Sequence, residues 1–243
     1  MTGAAPDFGP RAAQYDELRP IDDAWWRSFE EIVRAGDLRG RRVLEVGCGT
    51  GRFSHALEER ELARAWAVDS SSEMVERAKA LGVNARVSRG EALPFKSGWF
   101  DRAVLRMVAH LVDRPRVFAE VSRVLAPSGR VVVATHDPDS FDDIWLTKLF
   151  PSVPAIERAR FPDEPTLRAE LAGAGFGIIR FERFEVERTL DRDHAIATIR
   201  EKAFSTFDLL PPDEYAEGLA RAETELPKTF AHRFPWLLAV ADR

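Results

Sequence analysis

Apolar and polar positions alternate in blocks along the middle of the chain, where short apolar runs are separated by segments with helical spacing. The apolar runs predict strands at Arg42–Val46, Ala65–Val68, Ala85–Ser88, Phe100–Leu105 and Arg130–Thr135. The segments between them predict helices at Gly51–Glu61, Glu73–Leu81 and Arg114–Val124. Strands that alternate with helices are typical of a parallel sheet with helices on both faces. The pattern therefore predicts an α/β fold with a doubly wound, mostly parallel sheet.

Beyond residue 136 the spacing changes, and two further strands are predicted. Residues 137–164 are rich in proline, aspartate and aromatic residues, which predicts an insertion of loops or short helices. A helix from Glu164 leads into a strand over Phe176–Val186, and the last strand covers Pro235–Ala241. Residues 187–233 have a charged, helical pattern. The prediction is thus a seven-stranded sheet with helical additions.

The strongest chemical signal follows the first predicted strand, where residues 43–51 read VLEVGCGTG. Glycines at every second position, Gly47, Gly49 and Gly51, permit a tight turn with positive φ and let a ligand approach the backbone closely. Their register differs from the dinucleotide fingerprint G-x-G-x-x-G, and no P-loop lysine follows. Glu45 would repel a pyrophosphate, but it suits a ligand that carries an ammonium group.

A second signal lies 18 residues beyond Gly51, where Asp69 ends the second predicted strand. Ligands of open α/β sheets bind outside the carboxyl ends of the strands, and a carboxylate there can accept hydrogen bonds from both hydroxyls of a ribose. The alternative is that Asp69 only caps the next helix, within the serine-rich run 69–72. When Asp69 and the glycine motif are considered together, binding of the ribose is the favoured interpretation of Asp69.

Together these features resemble the first motifs of class I S-adenosylmethionine (SAM)-dependent methyltransferases, close to the small-molecule group called type 11. Residues 90–101, GEALPFKSGWFD, resemble the stretch that this family uses beside adenine. Residues 105–111, LRMVAHL, resemble its fourth motif. Residues 120–129 resemble its E-x-x-R-V-L-x-P-G-G turn, with Ser128 in place of the first glycine.

The resemblance implies a Rossmann-like fold, SAM as the cofactor, and SN2 transfer of its methyl group to oxygen, nitrogen or carbon of a small organic acceptor. The implied cofactor-binding residues are Tyr15, Arg19, Glu45, Gly47, Cys48, Gly49, Gly51, Asp69, Ser70, Met74, Gly90, Glu91, Ala92 and Arg106. Within this set, Tyr15 and Arg19 belong to a segment similar to the lid of relatives, and Arg106 lies where relatives line the methionine moiety.

One position departs from the family pattern. Relatives commonly carry an acid where this chain has Arg89, which cannot accept a hydrogen bond from the adenine amine. That contact is expected to pass to Glu91 or to backbone groups around Gly90 and Ala92.

The implied domain organisation has six parts. They are an N-terminal helical lid at 1–40, a SAM-binding core at 41–136, an insertion at 137–164, a continuation of the core at 165–186, a helical substrate cap at 187–233 and a final strand at 234–243.

Two histidines are candidate general bases for a hydroxyl or amine acceptor. His136 directly follows the fifth predicted strand and is the first choice, with His110 second. The alternative for both is a packing or hydrogen-bonding role. Aromatic side chains that could surround the sulfonium are Tyr15, Trp25, Trp26, Phe141 and Trp145.

The composition limits the classes of partner that the protein is expected to bind. The net charge is −5, so no general attraction to nucleic acid or to an anionic membrane is expected. The apolar runs are too short to span a bilayer, and the first residues lack an apolar signal core. The single cysteine, Cys48, excludes an internal disulfide and a cysteine-based metal site. We expect a cytoplasmic protein with a small-molecule acceptor and no metal, and a homodimer is an open alternative.

Three functional classes fit the sequence. A methyltransferase is the leading hypothesis. The second is a SAM-binding regulatory or partner protein without transferase activity. The third, a nucleotide-dependent oxidoreductase of the same architecture, is disfavoured by the glycine register.

Overall fold

Seven strands form a single sheet in the part of the chain that the computed structural model describes, residues 14–243. The strands are β1 (Arg42–Val46), β2 (Arg64–Asp69), β3 (Asn84–Val87), β4 (Phe100–Arg106), β5 (Leu125–His136), β6 (Ile178–Asp191) and β7 (Thr229–Asp242). Their order is β3-β2-β1-β4-β5-β7-β6. β1 to β5 are parallel, and β7 is antiparallel to both neighbours. The predicted seven-stranded, mostly parallel sheet is confirmed.

Nine α-helices accompany the sheet in this described part. They are α1 (Asp23–Gly36), α2 (Arg52–Glu61), α3 (Ser72–Ala80), α4 (Arg114–Val124), α5 (Trp145–Leu149), α6 (Val153–Arg160), α7 (Glu164–Gly173), α8 (Arg192–Arg200) and α9 (Pro212–Glu225). The apolar sides of α1 and α2 pack on one face of the sheet, and those of α4 and α7 pack on the other. The sheet therefore has a buried core on both faces, as a parallel sheet requires.

The last two strands are longer than the sequence pattern predicts. β6 and β7 pair along their whole length, from Ile178 opposite Asp242 to Asp191 opposite Thr229. β5 pairs with β7 only from Arg130 to His136, so the outer halves of β6 and β7 project beyond the carboxyl end of the sheet. Residues 187–191 and 229–233, expected to be helical, are strand because their backbone groups bond to one another across this antiparallel pair.

The helical additions form one unit above the carboxyl end of the sheet. Side chains of the 137–164 insertion, such as Phe141 and Phe150, share an apolar cluster with Ile199 of α8 and with Phe207 and Ala222 farther along the chain. The insertion and the expected cap are therefore packed together, and the name cap is used below for residues 138–161 and 192–228. The cap and the projecting strands enclose the space above β4 and β5.

Candidate functional site

The loop after β1 has the backbone geometry that its glycines predict. All three have positive φ, at 76° for Gly47, 54° for Gly49 and 83° for Gly51. A Cβ atom at Gly47 would lie 2.5 Å from a methyl group of Val108, and one at Gly51 would lie 2.6 Å from the Cβ atom of Ala78. Only glycine fits these two positions, because both the conformation and the space exclude a side chain.

Asp69 joins this loop to the end of β2. Its carboxylate accepts hydrogen bonds from the backbone amides of Gly49, at 2.8 Å, and Ser71, at 3.0 Å. Burial raises the pKa of Asp69, and these hydrogen bonds oppose that rise. Helix α3 is capped by Ser71, whose hydroxyl accepts from the amide of Met74. Asp69 is therefore not the cap of α3, and its carboxylate lines the central cavity.

Glu45 is a buried acid on β1 at the edge of the same cavity. The hydroxyl of Ser54 donates to its carboxylate at 2.5 Å. Burial raises the pKa of Glu45 to about 7, against the opposing effects of that hydrogen bond and of the charge of Arg106. Cys48 is also buried, which raises the pKa of its thiol and favours the unreactive protonated form.

The predicted adenine end is shaped by Glu91 and Arg89. Ser70, Met74, Gly90 and Glu91 line the cavity, whereas Ala92 is exposed and does not. The side chain of Arg89 is 73% exposed, and its guanidinium lies 3.4 Å from the carboxylate of Glu91. The departure from the family pattern thus places a largely exposed cation at the rim of the cavity, paired with Glu91, which also lines it.

Residues 14–20, called the strap below, cross over the glycine loop. Asp16 accepts hydrogen bonds from Thr50, at 2.7 Å, and forms an ion pair with Arg52, at 3.1 Å. The guanidinium of Arg19 lies 4.0 Å from the centre of the Tyr15 ring. The Tyr15 ring in turn lies 3.9 Å from the point where Gly49 would carry a Cβ atom. The strap therefore covers the loop, and the remainder of the predicted 1–40 lid divides into α1, which packs on the sheet, and residues 1–13, which lie outside the described residues.

The strap is also bonded to the cap. Arg19 donates a hydrogen bond to the backbone carbonyl of Ala203, and its guanidinium lies 5.3 Å from the centre of the Phe204 ring. One side chain thus connects the segment over the glycine loop with the segment over the rest of the cavity.

A single cavity of about 390 Å³ extends from the glycine loop to a chamber beneath the cap. Aromatic residues that line the chamber are Trp25, Phe141, Trp145, Phe161, Phe204, Phe234 and Trp236. Trp26, which was expected here, instead lines a groove on the outer surface with the guanidinium of Arg60 over its ring. The chamber is thus more aromatic than the sequence predicts, although one expected member is absent.

His136 lies in the centre of the aromatic side chains. Its ring centre is 3.6 Å from that of Phe234 and 5.7 Å from those of Phe141 and Phe161. Burial lowers the pKa of His136 to about 3, so the imidazole is neutral at pH 7. Its Nδ1 atom is buried without a hydrogen-bond partner.

His110, the second candidate base, lies beside the same aromatic cluster. Its ring stacks on Phe161 with centres 4.0 Å apart, and its Nδ1 atom is also buried without a partner. Burial lowers the pKa of His110 well below its ordinary value, with the charge of Arg160 acting in the same direction. The structure therefore brings both predicted histidines to one chamber.

Two more histidines of the chamber were not predicted. His194 at the start of α8 and His232 on β7 also line the cavity. Burial lowers the pKa of His232 to about 4. His232, Phe234 and Trp236 occupy every second position of β7, and this period-two pattern is the signal that could have identified a wall of the chamber. His194 has no comparable signal in the sequence.

Arg106, expected at the methionine end, lies at the end of β4 between the two halves of the cavity. Its guanidinium is directed towards aromatic rings, 5.7 Å from the centre of Trp25 and 5.4 Å from that of Trp236. Burial lowers the pKa of Arg106, and the charge of Glu45 opposes that effect. The side chain therefore lies between the two halves, near the rings of Trp25 and Trp236 and close enough to Glu45 and Arg52 for their charges to affect its pKa.

The described residues contain no group of three or more His, Cys, Asp or Glu side chains that could hold a metal ion. Within residues 14–243, no helix has the length and apolar character needed to cross a membrane.

Comparison with known proteins agrees with this geometry. Residues 44–133 match the model of a family described as a methyltransferase domain. The chain is 31% identical over 135 residues to an uncharacterized protein of Methanocaldococcus jannaschii, a match that covers 55% of this chain and 63% of that protein. It is 29% identical over 216 residues to a ubiquinone/menaquinone biosynthesis C-methyltransferase of Desulfotalea psychrophila, covering 83% of this chain and 85% of the relative.

A solved structure of a SAM-dependent methyltransferase from Thermotoga maritima has the same fold. It aligns with a TM-score of 0.61 at 21% sequence identity and covers 97% of each chain. The chain spans somewhat less than two thirds of the first curated relative named above and most of the second.

Proposed function

We propose that this chain is a class I SAM-dependent methyltransferase and that it transfers the methyl group of SAM to a small organic acceptor held beneath its cap. The observation that carries this proposal is the single cavity, which joins the three-glycine loop to an aromatic chamber. A cofactor on the loop and an acceptor in the chamber would thus share one enclosed space. Alignment of two reactants in such a space can supply much of the rate enhancement of a bimolecular transfer.

The residues of the loop half fit the cofactor. Gly47 and Gly51 let the loop turn tightly against Val108 and Ala78, and we propose that Asp69 presents its carboxylate at the end of β2 to the ribose hydroxyls. Glu45 and Glu91 both line the cavity, and we assign Glu45 to the ammonium group and Glu91 to the adenine. When bound, SAM supplies an electrophilic methyl group on a sulfonium sulfur. Tyr15 and Arg19 of the strap would exclude water above it.

The chamber half would hold the acceptor among rings that stabilise a sulfonium by cation–π contact. Of the two histidines, His136 is the proposed base for a hydroxyl or amine acceptor and His110 is the second choice. Both are neutral at pH 7 and can therefore accept a proton. Their low pKa values make them weak bases in the closed protein, so a hydrogen bond to the acceptor would have to raise the pKa of the one that acts.

The alternative is a SAM-binding regulatory or partner protein without transferase activity. One observation favours it: burial depresses the pKa of both candidate bases. Calorimetry should show binding of SAM and of its demethylated product, S-adenosylhomocysteine (SAH), in preference to NAD. Radiolabelled SAM and a metabolite extract should then yield a labelled small molecule. Absence of SAH binding would contradict the cofactor proposal, and binding without any labelled product would favour the alternative.

We also propose the class of the acceptor and the location of the protein in the cell. The net charge of −5 supports a small-molecule acceptor over a nucleic acid. The buried, unpaired Cys48 is compatible with a cytoplasmic location. A homodimer is open to measurement by sedimentation.

A further inference from the structure

Unsatisfied polar atoms are concentrated at one place in the described structure. In residues 14–243, seven buried side-chain nitrogen or oxygen atoms lack a hydrogen-bond partner. Five of them lie in and around the chamber, on Arg106, His110, Thr135, His136 and Trp236. Buried polar groups are nearly always hydrogen-bonded in folded proteins, so a cluster of this kind indicates a missing polar ligand.

Three of these residues share one face of the sheet: Arg106 ends β4, His136 ends β5, and Trp236 lies within the neighbouring strand β7. Arg106 on β4 pairs in register with Ala134 of β5, and His136 of β5 pairs with Trp236 of β7. The unpartnered atoms include Arg106 Nε and Trp236 Nε1, which can only donate hydrogen bonds. The missing ligand therefore has to supply acceptors.

The charges around the cavity identify the ligand further. The other arginines that line it have partners: Arg52 pairs with Asp16, Arg89 with Glu91 and Arg188 with Asp22, while Arg19 donates to a backbone carbonyl. Arg106 has no ion pair to a described carboxylate, and the nearby Glu45 is bonded to Ser54 instead. A buried guanidinium without a counter-ion is costly, and a bound anion would remove that cost.

On the basis of the proposed function, we infer that the methyl acceptor is an apolar carboxylic acid whose carboxylate binds Arg106 and the indole N–H of Trp236. The aromatic walls of the chamber hold its hydrocarbon or ring portion. No free acid in the described chamber could bind a cationic acceptor, since Glu157 is already bonded to Arg160.

The rival ligand for Arg106 is the carboxylate of the cofactor itself, because Arg19 and Arg52 are close enough to lower its pKa. Geometry favours the acceptor. Arg106 is on β4 beside β1, but its guanidinium lies 5.4 Å from the centre of the Trp236 ring, which is on β7, the strand beyond β5. The strap offers Tyr15 and Arg19 to the cofactor carboxylate directly above the glycine loop.

Calorimetry on the full chain saturated with SAH tests the inference. The probes are benzoate, phenylacetate, 3-phenylpropionate and indole-3-acetate, each compared with its own amide, which has the same shape without the charge. At least one acid should bind about tenfold or more tightly than its amide, as expected for a charged hydrogen bond. Equal binding of acid and amide, or no binding of any acid, would overturn the inference.

Variants distinguish a role of Arg106 in binding the acceptor from a role in binding the cofactor. Arg106→Gln should abolish the preference for acids while changing the affinity for SAH by less than about threefold. Arg188→Gln is the matched control, because this cavity arginine is already paired with Asp22 and should leave the preference intact. If Arg106→Gln is unfolded, Trp236→Phe keeps the ring, removes the donor and should reduce the preference about threefold.

The outcomes distinguish the two proposals. An Arg106→Gln protein that loses SAH affinity as strongly as acid affinity would assign the guanidinium to the cofactor and overturn this inference alone. An unmodified protein that does not bind SAH would overturn the proposed function itself.

Discussion

The carboxylate of Asp69 accepts a hydrogen bond of 2.8 Å from the backbone amide of Gly49, so the acid at the end of β2 holds the middle of the loop that follows β1. The same side chain therefore shapes the loop and presents an acceptor to the cavity. A substitution of Asp69 therefore changes both the shape of the loop and the acceptor that faces the cavity.

Asp69→Ala should weaken SAH binding by about 10- to 100-fold, since hydrogen bonds to a charged acceptor are lost. Isothermal calorimetry measures the affinity. Asp101→Ala is the control, because Asp101 is bonded to Arg42 away from the cavity and should change stability without changing affinity. Equal SAH affinity of the Asp69→Ala and unmodified proteins would exclude the ribose role.

Gly51→Ala should destabilise the fold by about 3 kcal/mol or more, because φ is positive and the new Cβ atom would lie 2.6 Å from Ala78. Gly98→Ala is a matched control with a φ of 69° and no atom within 4 Å, and it should cost only about 1 kcal/mol. Urea unfolding gives both values. Equal costs would show that the close approach to Ala78 has no energetic weight.

Asp16→Ala should release the strap and raise the dissociation rate of SAH about tenfold. The reason is that Asp16 holds the strap to the loop through Thr50 and Arg52. Stopped-flow displacement measures the rate. The neighbouring acid Glu17 is exposed, and Glu17→Ala should leave the rate unchanged. An unchanged rate in the Asp16→Ala protein would mean that the strap does not limit release.

His136 should make the protein sensitive to acid. The folded protein keeps this imidazole neutral down to a pKa of about 3, whereas an unfolded histidine is protonated below about 6.5. The unfolded state therefore binds more protons between these values, and stability is lost as the pH falls through this range. The contribution of His136 is a loss of about 2 kcal/mol between pH 6.5 and pH 5.

Urea unfolding of a His136→Gln variant at a series of pH values should show a shallower loss than the unmodified protein. His55→Gln, at a histidine on the outer surface groove, serves as the control. The raised pKa of Glu45 has the opposite effect, because it increases stability as the pH falls. This contribution is the same in both proteins and cancels when their stabilities are compared at each pH. Parallel profiles for His136→Gln and the unmodified protein would contradict the buried neutral state.

Glu45 should lose a proton when the cofactor ammonium binds beside it. With a pKa of about 7, the carboxyl group is half protonated at pH 7, and a nearby positive charge lowers that pKa. Calorimetry at pH 7 in phosphate and in Tris should reveal release of about half a proton per SAM bound. Glu45→Gln should remove the buffer dependence and Glu157→Gln should not. Equal enthalpies in both buffers would argue against an ammonium contact.

The sequence predicts the glycine-loop half of the cavity better than the aromatic chamber. Gly47, Gly51 and Asp69 act within a local strand–loop–helix unit, so their spacing along the chain specifies their geometry. The bounds of β1 agree with the predicted strand for the same reason. Arg89 shows the limit of such reasoning, because its type indicates a departure from the family but not that its side chain points to solvent.

The chamber depends on contacts between residues that are distant in the sequence. Arg188 and His232 lie opposite one another only because β6 and β7 pair over 14 residues, and the charged pattern of residues 187–191 conceals that strand. The rings of Trp25 and Trp26 are in contact, with centres 4.7 Å apart, but Trp25 lines the cavity and Trp26, one position farther around α1, lines the outer groove. The helical period of α1 contains this information, but the aromatic composition alone does not.

The paired projection of β6 and β7 has an evolutionary consequence. Residues 192–228 are attached to the rest of the molecule at two adjacent points, Asp191 and Thr229, which face each other across the ladder. A different helical segment grafted between these points would replace part of the chamber without changing the glycine loop, and it would have to offer a new carbonyl to Arg19 of the strap. Exchange of this one segment between relatives is therefore a direct route to a differently shaped chamber beside the same glycine loop.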